Sequence, residues 1–431
     1  MMTSPEAQDS GSDPSTQPVA ITGVGAVSGW GWGVEPLWQG LVRGESATRP
    51  PEHLDTSGHR TDLAAEVPAP SDADEPFGGV QRMTWAERFA LAATQGAVRQ
   101  ANLDADRLRT AGVFFGGSTA GMGEAEDFFA RWVGARPGRP RLRDVVAHQL
   151  NGPGDAVARA FEVRGPVSHE SSACASGALA VGAALDALRL GDVDVALAGG
   201  SDALCQLTYA GFNSLRAVDG APCRPFRGDR SGLNLGEGAG VLVLETADAV
   251  ERRGARPLAW LLGAGGSCDA HHMTAPHPEG RGAAAAMAAA LGDAGLGPES
   301  ISFVNAHGTG TPHNDIAEWH ALRSVLGERA PQVPVTSTKG SVGHLLGASG
   351  ALEAVATVLC LAAGQVHPTP GAGPVDPSMA VDLVLGTPRP VETPAIALST
   401  SFAFGGANAA LVFGSANRAM QGRDMRSQGE G

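Results

Sequence analysis

Short apolar runs alternate with Ala-rich stretches along most of this 431-residue chain. The runs have the length of buried strands, and the stretches between them have the composition of helices. A chain that alternates strand and helix in this way folds into sheets covered by helices, so the sequence predicts an α/β fold. The apolar runs lie at residues 19–24, 111–115, 193–198, 240–244, 301–304, 395–398 and 410–413.

The second part of the chain echoes the first. Residues 111–120 and 301–310 each read as a buried strand followed by a loop of small residues, and residues 195–201 and 396–402 form a second such pair. We interpret the echo as two related halves that meet near residues 246–260. Because strand followed by glycine is common in α/β folds and no fixed short period is visible, the echo alone does not define the halves.

Composition limits the classes of function. The net charge of −14 argues against sequence-independent binding of nucleic acid, so an acidic partner would have to dock on a local Arg patch. We find no apolar run long enough to cross a bilayer and no secretion signal, and we expect a soluble, cytoplasmic protein without a membrane partner. The polar ends, residues 1–16 and 416–431, are predicted to be disordered tails of a folded region at 17–415.

The chain contains a single lysine, Lys339, since thirty of its 31 strongly basic side chains are arginines. Lys339 lies in a segment of small residues that ends at His344. A guanidinium is a wide planar fork, so a site that needs a compact ammonium cannot use arginine instead. A codon bias toward Arg, Ala and Gly would also deplete lysine, which leaves open that Lys339 survives by accident.

The sharpest local pattern surrounds Cys174, where small residues precede an Ala- and Leu-rich helix that Gly191 can terminate. The free amides and the dipole at a helix start stabilise an anion, so we predict a thiolate whose pKa lies below the ordinary value of about 8.5. The alternative is a small buried residue that packs the helix. The other cysteines show no CxxC spacing and are interpreted as reduced packing residues: Cys205, Cys223, Cys268 and Cys360.

Two loops supply candidate partners for this thiol. His307 follows the predicted strand at 301–304, and His344 lies in a glycine-rich turn. Two imidazoles and a thiol can each act in a different step of one reaction. A Cys–His hydrolase would need only one histidine as its base. A metal site is not expected, because no dense set of ligands at metal-binding spacing accompanies the candidate histidines. Those histidines are His271, His272, His277, His307 and His313.

Together these segments resemble the β-ketoacyl-acyl carrier protein synthases, in the order of that family and over nearly the whole folded chain. The Cys–His–His set is similar to that of the elongating condensing enzymes, because the initiating branch has Asn and true thiolases have a second Cys where this chain has His344. The matching segments are residues 172–177, 224–240, 272–274, 305–311, 339–350 and 402–408.

The resemblance implies the thiolase fold, in which two similar βαβαβαββ halves form five αβαβα layers around a buried central pair of helices. The first half, residues 17–258, would carry the nucleophile, and the second half, residues 259–415, would carry the histidine pair.

The resemblance also implies roles for five residues. Cys174 would accept the growing acyl chain as a thioester. His307 and His344 would bind the malonyl thioester carbonyl and promote loss of carbon dioxide, yielding an enolate that attacks the acyl group. Hydrogen-bond donors that are held in place toward an oxygen atom that becomes negative each lower the activation barrier by roughly 3 kcal/mol. Lys339 and Glu353 resemble a buried charged pair that orients the histidines.

A second oxyanion hole is implied at the amides of Cys174 and Phe404, where Gly405 and Gly406 let the backbone come close. Phe404 also resembles the gate beside the nucleophile. The implied contacts with pantetheine or acyl chain are Phe212, Leu233, Thr274, Thr309 and Thr311.

By resemblance, the substrates arrive on the phosphopantetheine of an acyl carrier protein, so neither a separate cofactor nor a metal is expected. The family usually forms dimers, here with an identical copy or with a chain-length-factor-like subunit. Leu233 and Asn234 depart from the fatty-acid pattern and resemble synthases that build polyene chains in type II polyketide systems. Two other classes stay open, a noncatalytic chain-length subunit and an acyltransferase or thioester hydrolase that does not decarboxylate.

Overall fold

The structure, a computed structural model, describes residues 16–71, 73–74 and 82–417. The two predicted tails lie outside the described residues, apart from residues 16, 416 and 417.

The strands are β1 (Val19–Ser28), β2 (Gly31–Trp32), β3 (Ala64–Ala65), β4 (Gly112–Gly116), β5 (Val167–Glu170), β6 (Val195–Asp202), β7 (Leu235–Gly236), β8 (Gly238–Glu245), β9 (Ala259–Cys268), β10 (Phe303–Asn305), β11 (Pro334–Thr336), β12 (Gln365–Val366), β13 (Asp382–Leu383), β14 (Arg389–Pro390), β15 (Ile396–Phe402) and β16 (Ala407–Ser415). The helices are α1 (Val34–Arg43), α2 (Trp85–Ala101), α3 (Ala105–Thr110), α4 (Met122–Trp132), α5 (Leu142–Val146), α6 (Gly152–Ala160), α7 (Ser176–Arg189), α8 (Gln206–Ser214), α9 (Ala247–Arg253), α10 (Arg281–Asp293), α11 (Pro312–Leu326), α12 (Lys339–Val342) and α13 (Ser349–Ala363).

The main sheet has the strand order β13–β11–β10–β15–β16–β9–β1–β8–β6–β4–β5. It contains two sets of strands, β1, β4, β5, β6, β8 and then β9, β10, β11, β15, β16. In each set the spatial order is first, fifth, fourth, second, third. The fifth strand runs antiparallel to its neighbours, the first and the fourth, and the fourth, second and third strands are parallel to one another. The predicted echo is confirmed, since β4 corresponds to β10 and β6 to β15.

Helices separate and cover the two sets of strands. Helix α2 packs on β1 and β8, and α10 packs on β9 and β16. Between the sets lie α7, which contacts β4 and β6, and α13, which contacts β8 and β15. This arrangement confirms the predicted five α/β layers around a central pair of helices.

The two central helices approach each other closely where they begin. A Cβ atom on Gly177 would lie 2.8 Å from the amide nitrogen of Ala351, and one on Gly350 would lie 2.7 Å from the amide nitrogen of Ala178. Real Cβ atoms do not come this near to a backbone, so only glycine fits at these positions. The close approach brings the loops that precede α7 and α13 together.

Helix α13 and the turn before it, Leu346–Ala363, have a mean hydropathy of 1.7 over 18 residues, which matches a membrane span in length and composition. The expectation that no apolar run reaches bilayer length is therefore wrong for this segment. In the structure 83% of this segment is buried, so it packs as a central helix of the fold.

Candidate active site

Cys174 lies in a tight turn between β5 and α7. The turn, Ala173–Ala175, is a 3-10 helix in which Ala173 has a left-handed φ of 47°. The hydroxyl of Ser176 donates to the carbonyl of Ala173 at 2.6 Å and accepts the amide of Ser172 at 2.8 Å. A single side chain thus ties both ends of the turn, and the turn exposes Cys174 to a cavity.

The Cys174 thiol does not have the low pKa expected from its place before a helix. Burial raises the pKa of Cys174 to about 12, although the nearby Lys339 charge and the amide of Phe404 act in the opposite direction. Only 7% of the residue is exposed, so loss of hydration outweighs the helix dipole. The predicted low pKa is wrong, and the resting group is a thiol.

His307 follows β10 and is fixed at both its backbone and its ring. Its amide donates to Glu318 Oε1 at 2.8 Å and to Thr400 Oγ1 at 3.0 Å. Its Nδ1 lies 3.1 Å from the ammonium of Lys339, which also forms a buried ion pair with Glu353. An ammonium can only donate, so Nδ1 accepts and the proton of the neutral ring lies on Nε2.

His344 reaches the same protonation pattern through different partners. Its Nδ1 accepts the amide of Leu346 at 3.2 Å and lies 2.8 Å from Ser349 Oγ. An amide also only donates, so the Nε2 atom of His344 again carries the ring proton. The two imidazole rings are 5.5 Å apart between centroids and nearly perpendicular at 86°.

Both imidazoles are neutral at ordinary pH. Burial, followed by the charge of Lys339, holds the pKa of His307 and that of His344 well below the usual histidine value. The site therefore presents two Nε2–H donors on rings that are already neutral, so no proton has to be gained or lost before they donate. Such a pair can stabilise negative charge that develops on one oxygen atom.

Phe404 lies at the other side of the thiol. Its amide is close enough to the Cys174 sulfur to lower the pKa of the thiol, and left-handed φ angles of 83° and 85° at Gly405 and Gly406 turn the chain there. Phe404 as a residue is 37% exposed, and its ring stacks on that of Phe212 with centroids 5.5 Å apart. Phe404 therefore contributes an amide beside the sulfur and a ring at the surface of the cavity.

One cavity of about 560 Å³ joins most of the residues singled out in the sequence. Thr309 and Thr311 contact each other there, with hydroxyl oxygens 2.8 Å apart. Lys339 and Glu353 lie behind the ring of His307, and Gly405 and Gly406 do not line the cavity. The predicted residues that do line it are Cys174, Phe212, Leu233, Thr274, His307, Thr309, Thr311, His344 and Phe404.

Sequence reasoning missed Glu318 and Ser349, which hold the two histidines. A signal existed for Ser349, because the pentapeptide Ala-Ser-Gly-Ala-Leu occurs at both 175–179 and 348–352. In each copy the serine hydroxyl binds the turn that precedes a central helix. Glu318 had only a weak signal, an acid three residues after Asp315 and hence on the same helix face.

A metal site needs a particular arrangement of ligating side chains. Within residues 16–71, 73–74 and 82–417, no group of three or more His, Cys, Asp and Glu side chains is arranged to hold a metal ion.

Family models match most of the folded chain. The model described as "Beta-ketoacyl synthase, N-terminal domain" matches residues 16–249, and "Beta-ketoacyl synthase, C-terminal domain" matches residues 258–372. A 3-oxoacyl-[acyl-carrier-protein] synthase 2 of Synechocystis sp. is 37% identical over 409 residues, which cover 92% of this chain and 97% of that protein.

Solved structures with the same thiolase fold are also similar. The ishigamide ketosynthase/chain length factor has a TM-score of 0.87 and 36% identity, covering 93% of this chain and 99% of that one. A type II PKS acyl-carrier protein in complex with its ketosynthase bound to the hexaketide has a matching chain with a TM-score of 0.84 and 28% identity, covering 93% and 100% of the two chains.

Proposed function

This chain belongs to the β-ketoacyl synthase family, and we propose that Cys174, His307 and His344 perform a decarboxylative condensation between an acyl thioester and a malonyl thioester. The enzyme is an acyltransferase of the 3-oxoacyl-[acyl-carrier-protein] synthase type. The observation that carries the assignment of residues is that a buried thiol and two neutral N–H donors line the same cavity.

The first step loads the enzyme. The sulfur of Cys174 attacks the carbonyl of an acyl thioester, the bond to the carrier sulfur breaks, and the proton lost by Cys174 ends on the departing carrier thiol. The amides of Cys174 and Phe404 hold the oxyanion of this step. Burial raises the pKa of Cys174 to about 12, which supports a step in which the proton leaves during the attack.

The second step uses the histidines. The Nε2–H groups of His307 and His344 donate to the thioester oxygen of the malonyl group while its carboxylate leaves as carbon dioxide. The electron pair of the broken C–C bond becomes an enolate, whose negative oxygen the two donors stabilise. In a buried site, such fixed donors are each worth about 3 kcal/mol of barrier.

The third step forms the new bond. The enolate carbon attacks the acyl carbonyl on Cys174, and the tetrahedral intermediate collapses with loss of the Cys174 sulfur. The β-ketoacyl product leaves on its carrier, and the thiolate takes up one proton from water. Lys339 and Glu353 do not react; they fix the Nδ1 side of His307 so that its proton faces the substrate.

The partners follow from the family and its named relatives. We propose an acyl carrier protein as the donor of both substrates, whose phosphopantetheine removes the need for a separate cofactor, and a dimer with an identical or a chain-length-factor-like subunit. We place the reaction in the cytoplasm. We further propose residues 17–258 and 259–415 as the two halves that carry the thiol and the histidines.

The acyl chain belongs to a fatty acid or to a type II polyketide. We favour a polyene chain, because Leu233 lines the cavity and its segment departs from the fatty-acid pattern. Purified enzyme can be offered polyene and saturated acyl groups of equal length on one carrier protein. Faster elongation of the saturated chain would contradict this choice of substrate.

The direct test of the function is release of carbon dioxide together with formation of a β-ketoacyl carrier. A thioester hydrolase would release free acid, and an acyltransferase without condensation would load Cys174 but leave malonyl groups intact. A noncatalytic subunit would do neither. Purified enzyme with acyl and malonyl carrier proteins should give both products, and Cys174→Ala should give no condensation.

A further inference from the structure

Asp202, at the end of β6, is a completely buried carboxylate that has no role in the steps above. It accepts the amides of Ser118, Thr119, Ala120 and Gly347 at 3.0, 2.8, 2.9 and 2.7 Å. It also accepts the hydroxyls of Ser118 at 2.8 Å and Thr119 at 3.0 Å. All six partners are backbone amides or hydroxyls, which form a nest around the negative charge.

One of these partners belongs to the turn that holds a catalytic ring. Gly347 lies in the turn Leu346–Ala348, and the amide of the preceding Leu346 donates to Nδ1 of His344. The amide of Gly347 also lies 3.0 Å from Ser118 Oγ. The carboxylate therefore binds the residue directly after Leu346, whose amide fixes the ring proton of His344.

The local backbone needs such an anchor. Ala120 and Leu346 both have left-handed φ angles, 43° and 52°, which non-glycine residues adopt only when their surroundings enforce them. A Cβ atom on Gly347 would lie 2.7 Å from Asp202 Oδ2, so the turn sits directly against the carboxylate. Loss of the carboxylate would release two strained segments, one of which begins two residues after the cavity-lining His344.

We propose that Asp202 is a positioning residue for the decarboxylation step. It holds the turn Leu346–Ala348 against the loop that contains Ser118, so that the Leu346 amide keeps the His344 Nε2–H directed at the malonyl oxygen. The inference rests on the proposed function, because it assigns Asp202 to one half-reaction of that function.

The charge of Asp202 gives a second, independent readout. Burial is the main reason that the pKa of Cys174 is raised. The positive charge of Lys339 lowers this pKa, and the negative charges of Asp202 and Glu353 raise it further. An amide in place of Asp202 removes one of these charges. The pKa of Cys174 should therefore fall. Because a looser fold would hydrate the thiol and lower its pKa as well, the shift is assigned to the lost charge only if urea unfolding shows Asp202→Asn to be as stable as Glu66→Gln.

The test compares Asp202→Asn with Glu66→Gln in the full-length enzyme. Glu66 is a matched control, since it is buried and accepts two backbone amides, of Glu52 at 2.7 Å and His53 at 3.0 Å, away from the cavity. Acyl loading is measured by intact mass and decarboxylation by carbon dioxide released from malonyl carrier protein.

For Asp202→Asn we expect decarboxylation to fall by about tenfold or more while acyl loading changes less than about threefold, because loss of orientation acts on the step that uses His344. The pH dependence of thiol alkylation should shift to lower pH. Glu66→Gln should change neither. Equal losses of loading and decarboxylation, or no loss, would overturn the inference.

Two controls keep the test decisive. If Asp202→Asn does not fold, Ser118→Ala removes the hydroxyl between the carboxylate and Gly347, and it should slow decarboxylation more than loading; equal rates to wild type would overturn the inference. If the wild-type enzyme itself releases no carbon dioxide, the proposed function fails instead.

Discussion

Lys339 Nζ lies 3.1 Å from Nδ1 of His307, inside the protein and paired with Glu353. The only lysine of the chain thus decides which nitrogen of a cavity-lining imidazole carries the proton. Both side chains are buried, and the opposite charge of Glu353 offsets the cost of removing the ammonium from water.

Replacement of Lys339 by Met should slow decarboxylation by up to about 10²-fold. Without the ammonium, Nδ1 can take the ring proton, and a lone pair would then face the enolate oxygen. The pKa of His307 should also rise, because the positive charge that lowers it is gone. Nitrogen-15 shifts of the histidine ring report both the tautomer and the pKa.

Lys339→Arg keeps the charge but not the shape. We expect a similar loss of turnover, because a planar fork cannot occupy the space of an ammonium between His307 and Glu353. Unchanged turnover in this variant would mean that the lone lysine reflects codon bias.

Alkylation of Cys174 by iodoacetamide should accelerate about tenfold per pH unit, because the thiolate fraction grows in that proportion below the pKa. With a pKa of about 12, the rate should show no plateau between roughly pH 7 and 10. Intact mass after short reactions gives the rate, and Cys174→Ala corrects for the exposed Cys268. A plateau near neutral pH would contradict the buried thiol.

Gly350→Ala should destabilise the fold by about 1–3 kcal/mol, because the new methyl group would strike α7 where the central helices meet. Gly292→Ala is the matched control in α10, where nothing lies within 4 Å of the new Cβ, and it should be neutral or stabilising by up to about 1 kcal/mol. Urea unfolding measures both free energies. Equal stabilities of the two variants would argue against the close helix contact.

The sequence predicted seven strands because burial leaves a run of apolar residues, and these are β1, β4, β6, β8, β10, β15 and β16. It missed β9, whose run is broken by Gly263, Gly265 and Gly266. Two of these glycines are required by packing, since a Cβ atom on Gly263 would lie 2.5 Å from the carbonyl of Ala290 and one on Gly265 2.3 Å from that of Ala286. A strand that touches a helix backbone loses the pattern by which strands are recognised.

The candidate site was predicted in its residues but not in its electrostatics. Motifs marked Cys174, His307 and His344, and the fold brings all three to one cavity. The expected low pKa of Cys174 was derived from the local helix dipole alone. The thiol's burial is a tertiary property to which distant elements contribute, and no local pattern reports it.

The central claim is that Cys174 takes the acyl group whereas the histidine pair drives loss of carbon dioxide. The most direct measurement follows acyl loading and malonyl decarboxylation separately in Cys174→Ala and in His307→Ala. The account predicts that Cys174→Ala abolishes loading, and that His307→Ala still loads but decarboxylates about 10²–10³-fold more slowly. Intact condensation in either variant would contradict it.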